Sequence, residues 1–273
     1  MITKMCRLIG VGDNTVDTYI NSRMQYPGGN AVNVAVLAKR LGHDAAYIGW
    51  LGDDERGDLV LSSLESEGID TTHCRIIKGG KTGFSTVEII DGDRVFGEAD
   101  DGVCHLLNLE KKDFNFISTF DVVHTSVFSH VEPQLADLSQ ASKLLSFDLS
   151  QNYEQNYLET VLPYVDVAFL SVSDVPKNEQ EPLMRHMHTM GPRIVVTTNG
   201  KYGSWVYDGK EVYHQGIIQV EAIDSLGAGD AFAACFLVEF AEGKTIPLAM
   251  EKAAQYAAKN CTHYGAFGYG KSY

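Results

Sequence analysis

The stretch Asp224-Ser225-Leu226-Gly227-Ala228-Gly229-Asp230 stands directly before Ala231-Phe232-Ala233-Ala234-Cys235-Phe236-Leu237-Val238, a run that is apolar on every helical face. A helix apolar all round belongs in an interior, so a helix over Gly229–Glu242 is expected to be buried. The small residues ahead of it let the backbone approach a ligand closely. The first turn of a helix adds unpaired amides and the positive end of the dipole, which together make an anion site wide enough for a polyphosphate. Asp230 lies in that turn. A carboxylate there is an ordinary cap, but beside a phosphate turn it can also take the proton of an attacking hydroxyl.

Working outward, short apolar or β-branched runs alternate with helical periods. The runs are Leu8–Val11, Ala45–Leu51, Asp121–Phe128, Leu144–Leu149, Val165–Val172 and Ile194–Thr198. Helical segments fall near 30–41, 56–66, 132–143, 153–162 and 179–190, with a last helix over Ile246–Tyr264. The alternation predicts an α/β fold with a mainly parallel central sheet covered by helices on both faces. Ser204–Tyr207 and Glu211–His214, joined at Asp208-Gly209, read as a hairpin. Phe84–Ile90 alternates in polarity, turns at Asp91-Gly92-Asp93 and returns through Arg94-Val95-Phe96, a second, half-exposed antiparallel hairpin. With Asp17–Tyr26 it forms a small β lid. Residues 1–273 are therefore expected to be one domain, the lid comprising about 14–27 and 74–102.

At the other end of the chain, Gly28-Gly29-Asn30-Ala31-Val32-Asn33 opens a helix, and two glycines let a polyol lie against the backbone while Asn33 supplies a donor and an acceptor. A tight turn with Asn caps explains the same letters. Asp13 and Asp17 follow the first strand, where α/β folds bind ligands and where paired acceptors suit sugar hydroxyls.

Gly-Gly-x-x-x-Asn with Gly42 and Gly52-Asp53-Asp54, and Asp-Ser-x-Gly-Ala-Gly-Asp at Asp224–Asp230, resemble the two signatures of the PfkB or ribokinase-like sugar kinases, a likeness spanning essentially the whole chain. The resemblance implies a ribokinase-like fold with a β lid, ATP as donor and a sugar hydroxyl as acceptor. It implies Asp230 as base and the amides of Gly227, Ala228 and Gly229 as the anion hole. Asp13, Asp17, Gly28, Gly29 and Asn33 become sugar contacts. Thr197–Gly203 resembles the nucleotide turn Thr-x-Gly-x-x-Gly, which assigns Thr198, Gly200 and Gly203 to ATP. Asn260 and the Gly265-Ala266 pair are similar to the adenine wall. Ser171-Val172-Ser173-Asp174 stands where relatives carry Asn-x-x-Glu, leaving Asp174 to hold a water of Mg²⁺. A monovalent cation near the anion turn stays open.

Gly12-Asp13-Asn14-x-x-Asp17, Asp93-Arg94-Val95-Phe96-Gly97, and His124 with His130 are similar to the fructoselysine (fructosamine) 6-kinases within that family. Such a substrate carries positive charge. Glu98, Asp100 and Asp101 are placed to face its ammonium, and Arg94 to hold sugar oxygens or a carboxylate, although a solvated loop explains the three acids equally well. Two other readings stay open: a fructokinase- or ribokinase-like kinase of plain sugars, and a non-catalytic sugar or nucleotide sensor of the same fold.

Other patterns lead nowhere. Gly265–Ser272 fits a P-loop by letters, but such a loop joins a strand to a helix, and here a helix precedes it. Thr15 replaces the last glycine of a dinucleotide fingerprint after Gly10-Val11-Gly12. His186 and His188 fall on different helix faces, and Met184, Met187 and Met190 have core spacing. Five cysteines without a close pair suggest neither a disulfide framework nor a zinc site. With 22 basic against 36 acidic residues, a net charge of −14 opposes nucleic-acid binding. No run approaches the roughly 20 apolar residues of a membrane span. A cytoplasmic monomer, or a homodimer formed through the lid, is expected.

Overall fold

Along the computed structural model, which describes residues 5–90 and 93–273, the first third comprises β1 (Arg7–Val11), β2 (Thr15–Tyr19), β3 (Met24–Gly28), α1 (Asn30–Arg40), β4 (Asp44–Ile48) and β5 (Trp50–Gly52). Then follow α2 (Glu55–Ser66), β6 (Arg75–Ile77), β7 (Thr82–Ile90), β8 (Asp93–Gly102) and α3 (Lys111–Ile117). The middle alternates β9 (Val122–Ser126), α4 (Leu135–Ala141), β10 (Leu145–Asp148), α5 (Gln155–Val161), β11 (Val167–Ser171), α6 (Lys177–Thr189) and β12 (Ile194–Thr198). The chain closes with β13 (Ser204–Tyr207), β14 (Val212–Gln215), α7 (Ala228–Ala241), α8 (Ile246–Asn260) and β15 (Lys271–Ser272).

The large sheet has the order β14-β13-β12-β11-β10-β9-β1-β4. Its strands from β4 to β12 are parallel, and the β13-β14 hairpin adds an antiparallel edge. Strands buried on both faces need no polar alternation, which is why they appear as continuous apolar runs. Neighbours in sequence go to opposite cores. Ile9, Val123, Ala168 and Val195 pack with Leu135, Leu158 and Met184 of α4, α5 and α6, whereas Leu8, Val122, Val167 and Val196 pack with α1, α7 and α8.

Helix α7 lies inside this second core, with Ala231 to Val238 buried. Phe232, Phe236 and Phe240 stack in sequence at 6.2 and 5.8 Å, and Phe236 meets Phe169 edge-on at 6.1 Å. Met184 and Met187 are core residues as expected, and His186 is exposed while His188 tucks against Tyr207.

The smaller sheet has the order β15-β3-β2-β7-β8 and stands at the C-terminal ends of the parallel strands, because β2 follows directly from β1 through Gly12–Asn14. Several expectations need correction. The run Ala45–Leu51 divides at Gly49, where a Cβ would meet the Tyr47 hydroxyl and Gly12 O, and β5 leaves to pair with β6. The acids expected just beyond the hairpin, Glu98, Asp100 and Asp101, are part of β8. The turn residues Asp91 and Gly92 lie outside the described residues. Helix α3 and strands β6 and β15 were not expected: each is too short to show a period, and α3 is held through Asp113, which accepts from Arg75, His73 and the Glu110 amide. No helix among the described residues is long and apolar enough to cross a membrane.

Because Phe236 of α7 is wholly buried in the core that α1, α7 and α8 form with the sheet, Phe236→Ala is expected to lower the free energy of unfolding by about 3–5 kcal/mol in urea titration. A loss below about 1 kcal/mol would show that α7 is not clamped as described.

Candidate active site

A cleft of about 1250 Å³ opens between the C-terminal ends of the parallel strands and the smaller sheet. Asp13, Asn30, Asn33, Asp148 and Asp230 line its floor; Phe84, Phe96, Asp100, Asp101 and Phe128 line one end; Thr198, Gly200, Gly203, Ile217 and Ala258 line the other.

The floor is built where α1 meets α7. Helix α1 has Gly29 as N-cap, at φ 108°, with no side chain to cap it. Asp13 supplies the cap from the loop after β1: its carboxylate accepts from the amides of Asn30 and Ala31 and from the hydroxyls of Ser126 and Ser129, the last three at 3.2, 2.8 and 2.8 Å. Asp13 thus faces the cleft with both oxygens engaged. The glycines expected to cradle a polyol meet the protein itself. A Cβ on Gly29 would lie 2.6 Å from Asn14 Cα, and one on Gly28 would lie 2.5 Å from Asp17 Oδ2. Asp17 lines the cleft and accepts from the Ser85 hydroxyl.

Asp230 projects from the first turn of α7. Its Oδ2 accepts from Asn33 Nδ2 at 2.6 Å and its Oδ1 from Asn30 Nδ2 at 2.8 Å. The same Asn30 nitrogen donates to Asp148 Oδ2 at 3.0 Å. Asn33 Oδ1, at the cleft wall, is buried and has no protein partner. Asn30 and Asp148 were given no role by the sequence, and His124 appeared there only as a mark of family likeness. Asn30 lay inside the quoted Gly-Gly motif, but nothing in the letters pointed to carboxylates 118 and 200 residues away.

The turn before α7 is held from beneath. Gly227 has φ 73°, the left-handed conformation that favours glycine, and a Cβ there would lie 2.6 Å from Ala266 Cβ. Asp224 accepts from the amides of Leu226 and Gly265 and from the Tyr19 hydroxyl. Asn260 Nδ2 donates to Leu226 O at 3.3 Å. Asn260 and Ala266, expected in the adenine wall, therefore brace the turn from behind and do not line the cleft, whereas Ala254, Ala257 and Ala258 do. Ala228 and Gly229 face the cleft. Thr198, Gly200 and Gly203 line it too, and Gly203, at φ 93°, leaves no room for a Cβ against Gln215 O. Asp174 is exposed and away from the lining, and the side chain of Arg94 lies outside the described residues.

Comparison with known proteins identifies the assembly. The description of the pfkB family carbohydrate kinases matches residues 3–268. The chain belongs to that family. It is accordingly an ATP-dependent sugar kinase. It is 44% identical to fructosamine kinase FrlD of Bacillus subtilis (strain 168), over 98% of this chain and 95% of that one. It is 36% identical to fructoselysine 6-kinase of Escherichia coli (strain K12), over 96% of this chain and all of that one. A ribokinase of Arabidopsis thaliana complexed with ribose and ATP superposes with a TM-score of 0.84 at 19% identity, covering 97% of this chain and 95% of that one. That likeness shows the ribokinase-like fold.

In this kinase the floor carboxylates repel one another. Removal from water, with Asp148 and Asp13 adding to it, pushes Asp230 up to about 7 against the hydrogen bonds from Asn33 and Asn30. Burial raises Asp148 as well. Burial pushes His124 down to about 3, so its ring is neutral at physiological pH.

An acid whose folded pKa lies above its unfolded value favours folding at low pH and loses that contribution as pH rises through the folded value. Asp230 therefore weighs against the fold above about pH 7. Asp230→Asn is expected to gain melting temperature over the wild type as pH rises from 5 to 8; a difference constant across that range in calorimetry would contradict the raised value.

Proposed function

We propose that this kinase transfers the γ-phosphate of ATP to a primary hydroxyl of a glycated amine, with fructoselysine as substrate and fructoselysine 6-phosphate as product. The observation that carries the reading is the union, in one turn, of Asp230 and the amides that begin α7. Asp230 is the general base. Asn33 and Asn30 orient it, and its raised pKa keeps it a competent base near neutral pH.

The acceptor hydroxyl attacks the γ-phosphorus as Asp230 Oδ takes its proton, and ADP leaves. The amides of Gly227, Ala228 and Gly229 with the positive end of α7 spread the charge on the transferred group, the main task in phosphoryl transfer. Thr198, Gly200 and Gly203 receive the nucleotide at their end of the cleft. Asp17, Gly29 and Asn33 contact the sugar, Gly28 leaves room for the Asp17 carboxylate beside them, the family likeness assigns Arg94 a further contact, and Asp13 fixes the start of α1 beneath it.

Lys201 is the one cation among the cleft-lining residues described, against Asp13, Asp17, Asp100, Asp101, Asp148 and Asp230. No cluster of carboxylates among the described residues forms a metal cage, which fits Mg²⁺, an ion that keeps most of its waters and needs few carboxylates. Asp148 and Asp230 would hold it through its waters, while Asp174, assigned to the metal by the family likeness, is exposed and outside the cleft lining. When bound, the ion supplies charge neutralisation on the phosphates. The smaller sheet acts as a lid, closing over the cleft so that water does not compete with the hydroxyl.

The names borne by relatives support the glycated amine, and so does the acidic end of the cleft. Asp100 and Asp101 line the cleft along with Phe96 and Phe128, an environment for an alkylammonium chain. Glu98 is exposed and does not line the cleft.

Asp230→Asn is expected to lose turnover by a factor of roughly 10²–10⁴ with substrate binding kept. Near-normal ADP release would remove it as base. With Asp100 and Asp101 both changed to Asn, KM for fructoselysine should rise about 2- to 10-fold, as for exposed charge pairs, while KM for fructose and ATP holds. An equal rise for fructose would refute the ammonium contact.

A further inference from the structure

Asn30 Nδ2 lies within 3.0 Å of two carboxylates, Asp148 and Asp230, and carboxylates only accept. Its amide nitrogen must therefore face them, one hydrogen to each, and its Oδ1 must face the other way. There it meets His124 Nε2 at 2.8 Å. An acceptor at that distance obliges Nε2 to carry the hydrogen, so the neutral ring has a bare Nδ1, which accepts from Ser146 Oγ at 3.0 Å. One tautomer satisfies every contact.

His124 is fully buried on β9 and does not line the cleft, so it reaches the chemistry only through Asn30. If its Nε2 hydrogen were missing, the Asn30 amide could turn over and point its oxygen at two acids. We propose that His124 is a positioning residue, whose Nε2 hydrogen locks the Asn30 amide so that Asp230 is held, correctly aimed and as a carboxylate, beside Asp148.

This rests on Asp230 as base. The titratable groups around Asp230 are Asp13 after β1 and Asp148 at the end of β10, with the neutral amides Asn30 and Asn33 from α1. Around His124 stand Ser146 of β10, Phe169 of β11 and Asn30 of α1. None of the latter three titrates near neutrality, so the clamp itself stays shut while Asp230 changes charge.

Phe fills the ring's space without the hydrogen, and Gln keeps a donor at similar reach. His124→Phe should lower kcat roughly tenfold to a hundredfold, the worth of a hydrogen bond to a charged group, and leave KM for ATP near the wild-type value. Because the Asn30 hydrogen bond holds Asp230 down, the acid limb of kcat/KM should move to higher pH by about half a unit to one unit. His124→Gln should restore the limb. In wild-type protein, ¹⁵N–¹H spectra should show His124 protonated at Nε2 and bare at Nδ1 from pH 5 to 9. The proposal is overturned by the Nδ1-H tautomer, or by a folded His124→Phe with an unmoved acid limb. If Asp230→Asn stays active the base assignment fails; if it is dead while the His124→Phe profile is normal, only the positioning role fails.

Discussion

The cleft exists because two aspartates and a helix start are drawn together by amides rather than by cations. Asp230 and Asp148 share the hydrogens of Asn30, Asn33 takes the second oxygen of Asp230, and Asp13 binds the amides that begin α1. Like charges at such spacing would separate in water. They stay because each oxygen is met by a donor and because α1 and α7, packed side by side in one core, cannot move apart without opening it.

The same economy of positive charge marks the anion turn. In the proposed reading, a protein with a net charge of −14 gathers a polyphosphate by backbone amides and a helix end, contributions that need no basic side chain. Gly227 makes this possible twice, by its left-handed φ and by leaving room for Ala266 beneath it. The brace under the turn, from Asp224, Asn260 and Tyr19, ties it to the C-terminal segment and to the smaller sheet.

Much of the fold was legible in the chain. Parallel strands buried on both faces leave long apolar runs, and the all-round apolar α7 announces its interior position, so the strands of the large sheet and its major helices were expected close to where they lie. The short pieces were not: β6, α3 and β15 are held by partners far away, and one strand-like run breaks at Gly49 because Tyr47 fills the space where a side chain would go. Propensity acts over a few neighbours and carries no record of such contacts.

For the site, the letters alone determined the glycine-bordered turn, the carboxylate at its end and the acidic residues after β1, since these are local devices whose chemistry travels with their spacing. Folding decided what each of them faces. Asp13 became a helix cap from the loop after β1, Asn260 and Ala266 a support behind the turn, and Asn30, Asp148 and His124, to none of which the letters gave a structural role, became the frame around Asp230. Hydrogen bonds form between whatever atoms packing brings within about 3 Å, and that meeting of residues 30, 124, 148 and 230 is a property of the sheet order and the docking of α1 on α7, which no stretch of chain contains.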